Sequence, residues 1–270
     1  MKGVLKGIGF FALYFVLTML FQMLLSIAFM AVGAAGGIRE EDALMTFANN
    51  NLLGMTIFSG ILIMIVFFMI FRFRKADIKK EWKLRRFKIK EVVLPIIVAF
   101  SYSFIFALIT YNMELENSVM IQNSAEYYSG VCSGLGSVLL ILNLLIIAPI
   151  SEEIALRGIV YTRVEKTTNP AVAIVVSSLL FGLMHIMVGG IVLVIGAILM
   201  GIVFGLIYYK TNSLFICFIA HSIANLPDFI LSNHSIFSNG MLIALTIGVG
   251  LIFIIGTILM VKKSERTAES

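Results

Sequence analysis

The chain has 270 residues, 60% of them hydrophobic and 13% charged, with a formal net charge of +5. Soluble domains carry about 45–50% apolar and about 25% charged residues, so this composition excludes an ordinary water-soluble fold. Nor does the positive balance read as a nucleic-acid surface, because the basic residues sit in short segments between apolar runs.

The first apolar run follows Lys2 and Lys6 and imitates a signal peptide. A signal h-region is about 7–15 residues long. This run continues from 8 to 32, enough to cross about 30 Å of hydrocarbon, and is read as a retained first helix. Further runs lie at 52–71, 92–111, 137–159, 171–188, 191–209, 213–231 and 240–261. The shortest gap between runs falls at Gly189-Gly190. Lipid offers no partner to a free backbone N–H or C=O, so each run is expected to be helical. The reading is an all-α polytopic bundle of about eight transmembrane helices, a single integral domain over 1–270. Its motif-bearing core covers about 137–231.

Orientation follows from Lys and Arg. The segment Arg72–Lys90 carries ten basic residues against Asp77 and Glu81. Placing it in the cytoplasm puts Lys2, Lys6, Arg163, Lys166, Lys210, Lys262, Lys263 and Arg266 on the same side. Glu40, Glu41, Asp42, Glu114, Glu116 and Glu126 fall on the other, with Arg39 the one basic exception. Both termini are then cytoplasmic, in what reads as a bacterial plasma membrane. Trp82 and Phe87 within the basic segment suit either a headgroup-lying loop or a plain topology determinant. Cys132 and Cys217 have no pairing pattern and read as free thiols among apolar neighbours. No internal repeat or linker divides the chain.

The first three runs hold almost nothing ionisable. The fourth ends Ala148-Pro-Ile-Ser-Glu-Glu-Ile-Ala-Leu-Arg157. A charge at the bilayer centre costs about 2.5–3.5 kcal/mol on insertion scales, so each needs a partner or a use. Glu153 and Arg157 are four apart and share a helix face. Glu152 is rotated about 100° from that face. Pro149 removes a backbone donor and can kink the helix, re-aiming Glu152 and freeing a carbonyl. The fifth run adds Phe181 and His185, the seventh His221 and Asn225, each pair on one helix face. His234 falls in a loop among Asn and Ser and reads as solvated.

A carboxylate, two imidazoles and a carboxamide facing inward make a polar pocket in oil, suited to hydrolysis. Glu152 fits a general base, and histidine can orient water or share its proton. Asn225 and His221 can donate to an oxyanion. A metal reading stays open: Glu152, His185 and His221 would give three ligands and an open position for zinc, although the helical H-E-x-x-H pattern is absent.

In order, Glu152-Glu153-x-x-x-Arg157, Phe181-x-x-x-His185 and His221-x-x-x-Asn225 resemble the three signature motifs of the CAAX protease and bacteriocin-processing (CPBP) intramembrane proteases, which include type II CAAX prenyl endopeptidases. The resemblance covers about 148–230 and includes Gly201-Ile-Val-Phe-Gly205 with the turn after it. It implies an intramembrane endopeptidase acting on a membrane-associated or prenylated protein or peptide. It implies Glu152 as the water-activating base with His185 beside it, His221 and Asn225 at the oxyanion, and Glu153 and Arg157 in support. It leaves zinc and metal-free chemistry both open, because the family has been described in each way. Gly201 and Gly205 are read as close-packing positions.

Two other readings compete: a non-catalytic immunity or scaffold protein on the same fold, and a proton-coupled transporter, which the missing repeat disfavours. One difficulty is depth. On these limits Glu152 lies toward the cytoplasmic end of its helix and His185 toward the outer end of the next.

Overall fold

A computed structural model describes residues 2–112, 135–227 and 239–268. Among these every regular element is a helix. The long ones are α1 (Lys2–Ala35), α3 (Leu52–Phe73), α5 (Ile89–Asn112), α8 (Ile186–Thr211) and α10 (Asn239–Ala268). With them goes α6, a helical stretch from 135 to 165 in which α turns alternate with wide π turns. Two apolar helices are shorter, α7 (Pro170–Met184) and α9 (Leu214–Ala224), and two small ones, α2 (Glu41–Asn50) and α4 (Ile78–Glu81), sit outside the spans. Each of the eight apolar runs thus carries a helix among the described residues. Six are long and apolar enough to cross a bilayer, whereas the fifth and seventh runs yield α7 and α9, too short by the same measure. His234 and Cys132 lie outside the described residues.

The outer surface is oil. Val16, Ile27, Phe58, Ile195, Ile247 and Ile254 are all exposed. A water-soluble monomer rarely carries a continuous apolar exterior; in lipid it costs nothing, because acyl chains are as apolar as leucine. The chain is therefore an integral, multi-pass helical membrane protein. Inside, α1 lies against α3 and α6, α5 against α9 and α10, and α7 against α8. Polar links cross the interfaces: Gln22 Nε2 donates to Thr56 Oγ1 at 3.1 Å and Tyr102 Oη to the Gly196 carbonyl at 2.9 Å.

One end of the bundle collects the basic segments. Lys83 pairs with Glu165 at 2.9 Å, Arg163 with Glu81 at 3.0 Å, and Lys166 with the same Glu81 at 2.9 Å. Arg85 pairs with Glu91 and donates to the Thr211 carbonyl, Leu214 N–H donates to the Lys83 carbonyl, and Lys210 Nζ reaches the Val261 carbonyl. The start of α1, the 74–88 segment, the α6–α7 and α8–α9 turns and the end of α10 thus share one face. Trp82 does not lie out among headgroups. It is buried, edge-on to Phe71 at 5.4 Å, against Gly158. The basic segment is a cap tied to the bundle.

Local chemistry sets the turns. Asn169 caps α7, its Oδ1 accepting from Val172 N–H at 3.0 Å, and Pro170 stands at the first helical position, where its missing N–H is harmless. Within the first turns of α8, Gly190 has a φ of 68°, which suits a residue without a Cβ. Asn212, at φ 49°, closes α8 and Ser213 caps α9.

Candidate active site

The site is built on α6, α7, α8 and α9. Two π stretches, Asn143–Ile147 and Ile154–Tyr161, flank the α turn Ala148–Glu153 that carries both acids. Such wide turns concentrate at functional positions. Their cause at the first stretch is legible in the backbone. Pro149 has no N–H, so the Leu145 carbonyl has no partner in an α register and the Leu144 carbonyl none in a π register. Both go to α9: Ser222 Oγ donates to Leu145 O at 2.6 Å and Asn225 Nδ2 to Leu144 O at 2.9 Å. The expected freed carbonyl is present, and it fastens the helix bearing His221.

Glu153 is the hub. Its side chain is fully buried and accepts from Arg157 Nη1 at 3.0 Å, from His221 Nδ1 at 2.8 Å and from Cys217 Sγ at 3.1 Å. Arg157, equally buried, donates its Nη2 to the Gly201 carbonyl at 2.9 Å and lies over the Phe181 and Phe204 rings at 5.1 and 5.2 Å. His221 stacks on Phe204 at 4.4 Å and meets Phe181 edge-on at 5.8 Å. A carboxylate facing a guanidinium acts as an acceptor, so His221 carries its proton on Nδ1 and presents Nε2 elsewhere. That nitrogen lies 3.6 Å from Glu152 Oε2, too far for a direct hydrogen bond. Glu152 alone among the cluster's acids keeps a partly open side chain.

His185 ends α7, with Nδ1 2.8 Å from the Phe181 carbonyl and its ring edge-on to Phe181 at 4.9 Å. The carbonyl can only accept, so Nδ1 carries the proton and Nε2 is left as an acceptor. The depth difficulty disappears for a definite reason. The fourth helix runs on to 165 rather than ending near 159, and the fifth stops at Met184 rather than 188. Arg157 faces Phe181, and α6 and α7 are antiparallel across a four-residue turn. One turn back from Arg157 is Glu153; one turn on from Phe181 is His185. The two reach the same level.

Of the six residues expected at the site, Glu152, Glu153, Arg157 and His221 are thus in one connected cluster. His185 joins it through the shared Phe181 ring, and Asn225 is anchored to the π turn of α6. The suggested zinc ligands do not assemble: among the described residues no three His, Cys, Asp or Glu side chains are grouped to hold a metal ion. The direct ring partner of His221 is the second acid, Glu153.

Two members were not foreseen. Cys217 was read as a thiol among apolar neighbours, yet it faces Glu153 and the Phe204 carbonyl, at 3.1 and 3.3 Å. Its position four residues before His221, on the same face, was the available signal. The Gly201 carbonyl gave none, since every residue has one. Gly201 and Gly205 do pack as expected: a Cβ on Gly201 would sit 2.8 Å from Ser178 Cα, and one on Gly205 3.1 Å from Ile174 Cγ2.

The fold and this cluster define the class: a multi-pass helical membrane protein with a buried acid–imidazole–guanidinium site opened by a π-turned helix. Residues 134–227 match the family model described as type II CAAX prenyl endopeptidase Rce1-like. The matched segment is about a third of the sequence and contains all three motifs, so over it the chain is similar to that family. It is also similar to an uncharacterized protein of Mycoplasma capricolum subsp. capricolum, 29% identical over 168 residues that cover 58% of this chain and 48% of the relative. The chain spans about half the length of that curated relative. No solved structure matches.

Proposed function

We propose that the chain is an intramembrane endopeptidase that hydrolyses a peptide bond of a membrane-associated or prenylated protein or peptide with water activated by Glu152. The reading rests on one observation, the relay Glu152···His221–Glu153 with separations of 3.6 and 2.8 Å. The 3.6 Å gap leaves both groups able to touch a single water seated beside them. Glu152 takes a proton as that water's oxygen adds to the scissile carbonyl carbon. His221, its Nδ1 held by Glu153, handles the proton that must reach the amine nitrogen as the C–N bond breaks, as an imidazole oriented by a buried carboxylate does. His185 offers Nε2 as an acceptor to hold the water. Asn225 has a second amide N–H beyond the one on Leu144, available to the oxyanion. The basic end of the bundle is assigned to the cytoplasm and with it both termini.

The test is cleavage of prenylated and unmodified reporter peptides by the purified chain in liposomes. Glu152→Gln should lose at least about a hundredfold in rate, the scale of a general base, with an unchanged unfolding transition. Retained turnover in that variant would leave the chain as a scaffold on a peptidase fold.

A further inference from the structure

Away from this site, at the basic end of the bundle, a cavity of about 600 Å³ is lined by Lys6, Gly9, Phe10, Leu13, Arg74 and Arg163. We propose that it binds one anionic phospholipid, the phosphate at the cations and an acyl chain over Gly9 and Leu13. The inference stands on the membrane architecture and not on the peptidase reading.

Three cations converge there from three helix ends: Lys6 in the second turn of α1, Arg74 just past α3 and Arg163 in the last turn of α6. Arg74 and Arg163 both lie over the Phe10 ring, at 5.4 and 5.7 Å, and Arg163 also over Phe71 at 5.4 Å. Aromatic faces hold guanidiniums in place without neutralising them. Charge is left over. Glu81 is shared by Arg163 and Lys166, and among the described residues no carboxylate forms an ion pair with Lys6 or Arg74. By contrast Lys83 and Arg85, in the tied cap, are already paired.

The lining is amphipathic along the membrane normal. From Lys6 to Leu13 is about two helical turns, about 10 Å. The cations sit at the end of the spans, where headgroups lie, and the apolar floor runs from there into the hydrocarbon. That floor is open: a Cβ on Gly9 would meet nothing within 4 Å, whereas one on Gly7, on the nearly opposite face, would sit 3.2 Å from Val164 Cγ2. It continues onto exposed Leu13 and Val16. A soluble phosphate would use the cations alone and leave the apolar half unfilled. A diacyl phosphate fits both halves.

The experiment uses the full chain in phosphatidylcholine nanodiscs with graded phosphatidylglycerol, reading retained lipid by native mass spectrometry. Phosphatidylglycerol should stay bound where phosphatidylcholine does not. Lys6→Gln and Arg74→Gln should each weaken retention about fivefold, the factor equivalent to about 1 kcal/mol per cation at a membrane surface. Gly9→Phe, filling the groove with every charge intact, should weaken it at least tenfold. Exposed Lys79→Gln, outside the groove, should change nothing. Equal retention of both lipids, or full retention in Gly9→Phe, would overturn the proposal. So would displacement of phosphatidylglycerol by millimolar inorganic phosphate, which would assign the cations to a soluble anion. If Gly9→Phe fails to insert, Arg74→Gln decides alone, since Arg74 is exposed and its replacement gives up only the contact over Phe10.

Discussion

Glu153→Ala should be among the most destabilising single changes in the chain. The carboxylate is fully buried and is shared by Arg157, His221 and Cys217. Its removal leaves Arg157 with the Gly201 carbonyl and two aromatic faces, and no counter-charge. Breaking one side of a buried pair costs about 3–5 kcal/mol, a large share of the roughly 5–15 kcal/mol that holds a native protein together. Removing both charges is different: Glu153→Ala with Arg157→Met deletes the unpaired ion, and apolar replacement of a buried pair is often neutral or better. The double variant should therefore be no less stable than either single one, a coupling of about 2–3 kcal/mol or more. Reversible unfolding in mixed micelles against a denaturing detergent reads all three. The double variant should still lack turnover, because His221 has lost its anchor. Additive losses, or a Glu153→Ala cost below about 1 kcal/mol, would refute the reasoning.

Other outcomes follow from the same geometry. Gly201→Ala drives a methyl toward Ser178 Cα and should cost about 1–3 kcal/mol by overpacking, while Gly248→Ala, whose Cβ meets nothing within 4 Å, should be near neutral; thermal unfolding separates them. Ser222→Ala strands the Leu145 carbonyl and should cost about 0.6–2 kcal/mol, and less in a Pro149→Ala background, where an N–H returns to that carbonyl. Absence of that rescue would detach the π turn from its assigned cause. Trp82→Ala should loosen the basic cap from Phe71 and Gly158, seen as faster protease nicking within 74–88 while the spans stay intact.

Composition and apolar run length were enough to read a helical membrane bundle. The i, i+4 rule placed Glu153 on Arg157, and Pro149 announced a freed carbonyl. What the residues concealed was chiefly backbone. A π turn carries no residue code, so the helical wheel that set Glu152 about 100° from Glu153 could not say that His221 would reach both acids. Carbonyl partners such as Gly201 and Leu144 are invisible in a list of side chains. The lengths of α7 and α9 were also hidden, because apolar residues continue past the end of each helix. Trp82 was misleading for a different reason: an aromatic among lysines looks interfacial, and only the tertiary contact with Gly158 buries it.

The Glu153–Arg157 pair closes within a single turn of α6, whereas the partners that complete it lie 44 to 68 residues further along the chain. During biogenesis those later segments do not yet exist. A helix that pairs two of its charges within itself leaves the translocon with fewer bare ions, where Glu153 and Arg157 unpaired would each hold it back. The same bond that later sets the imidazole also serves as the passport for α6, and the remaining contacts wait for α8 and α9 to arrive.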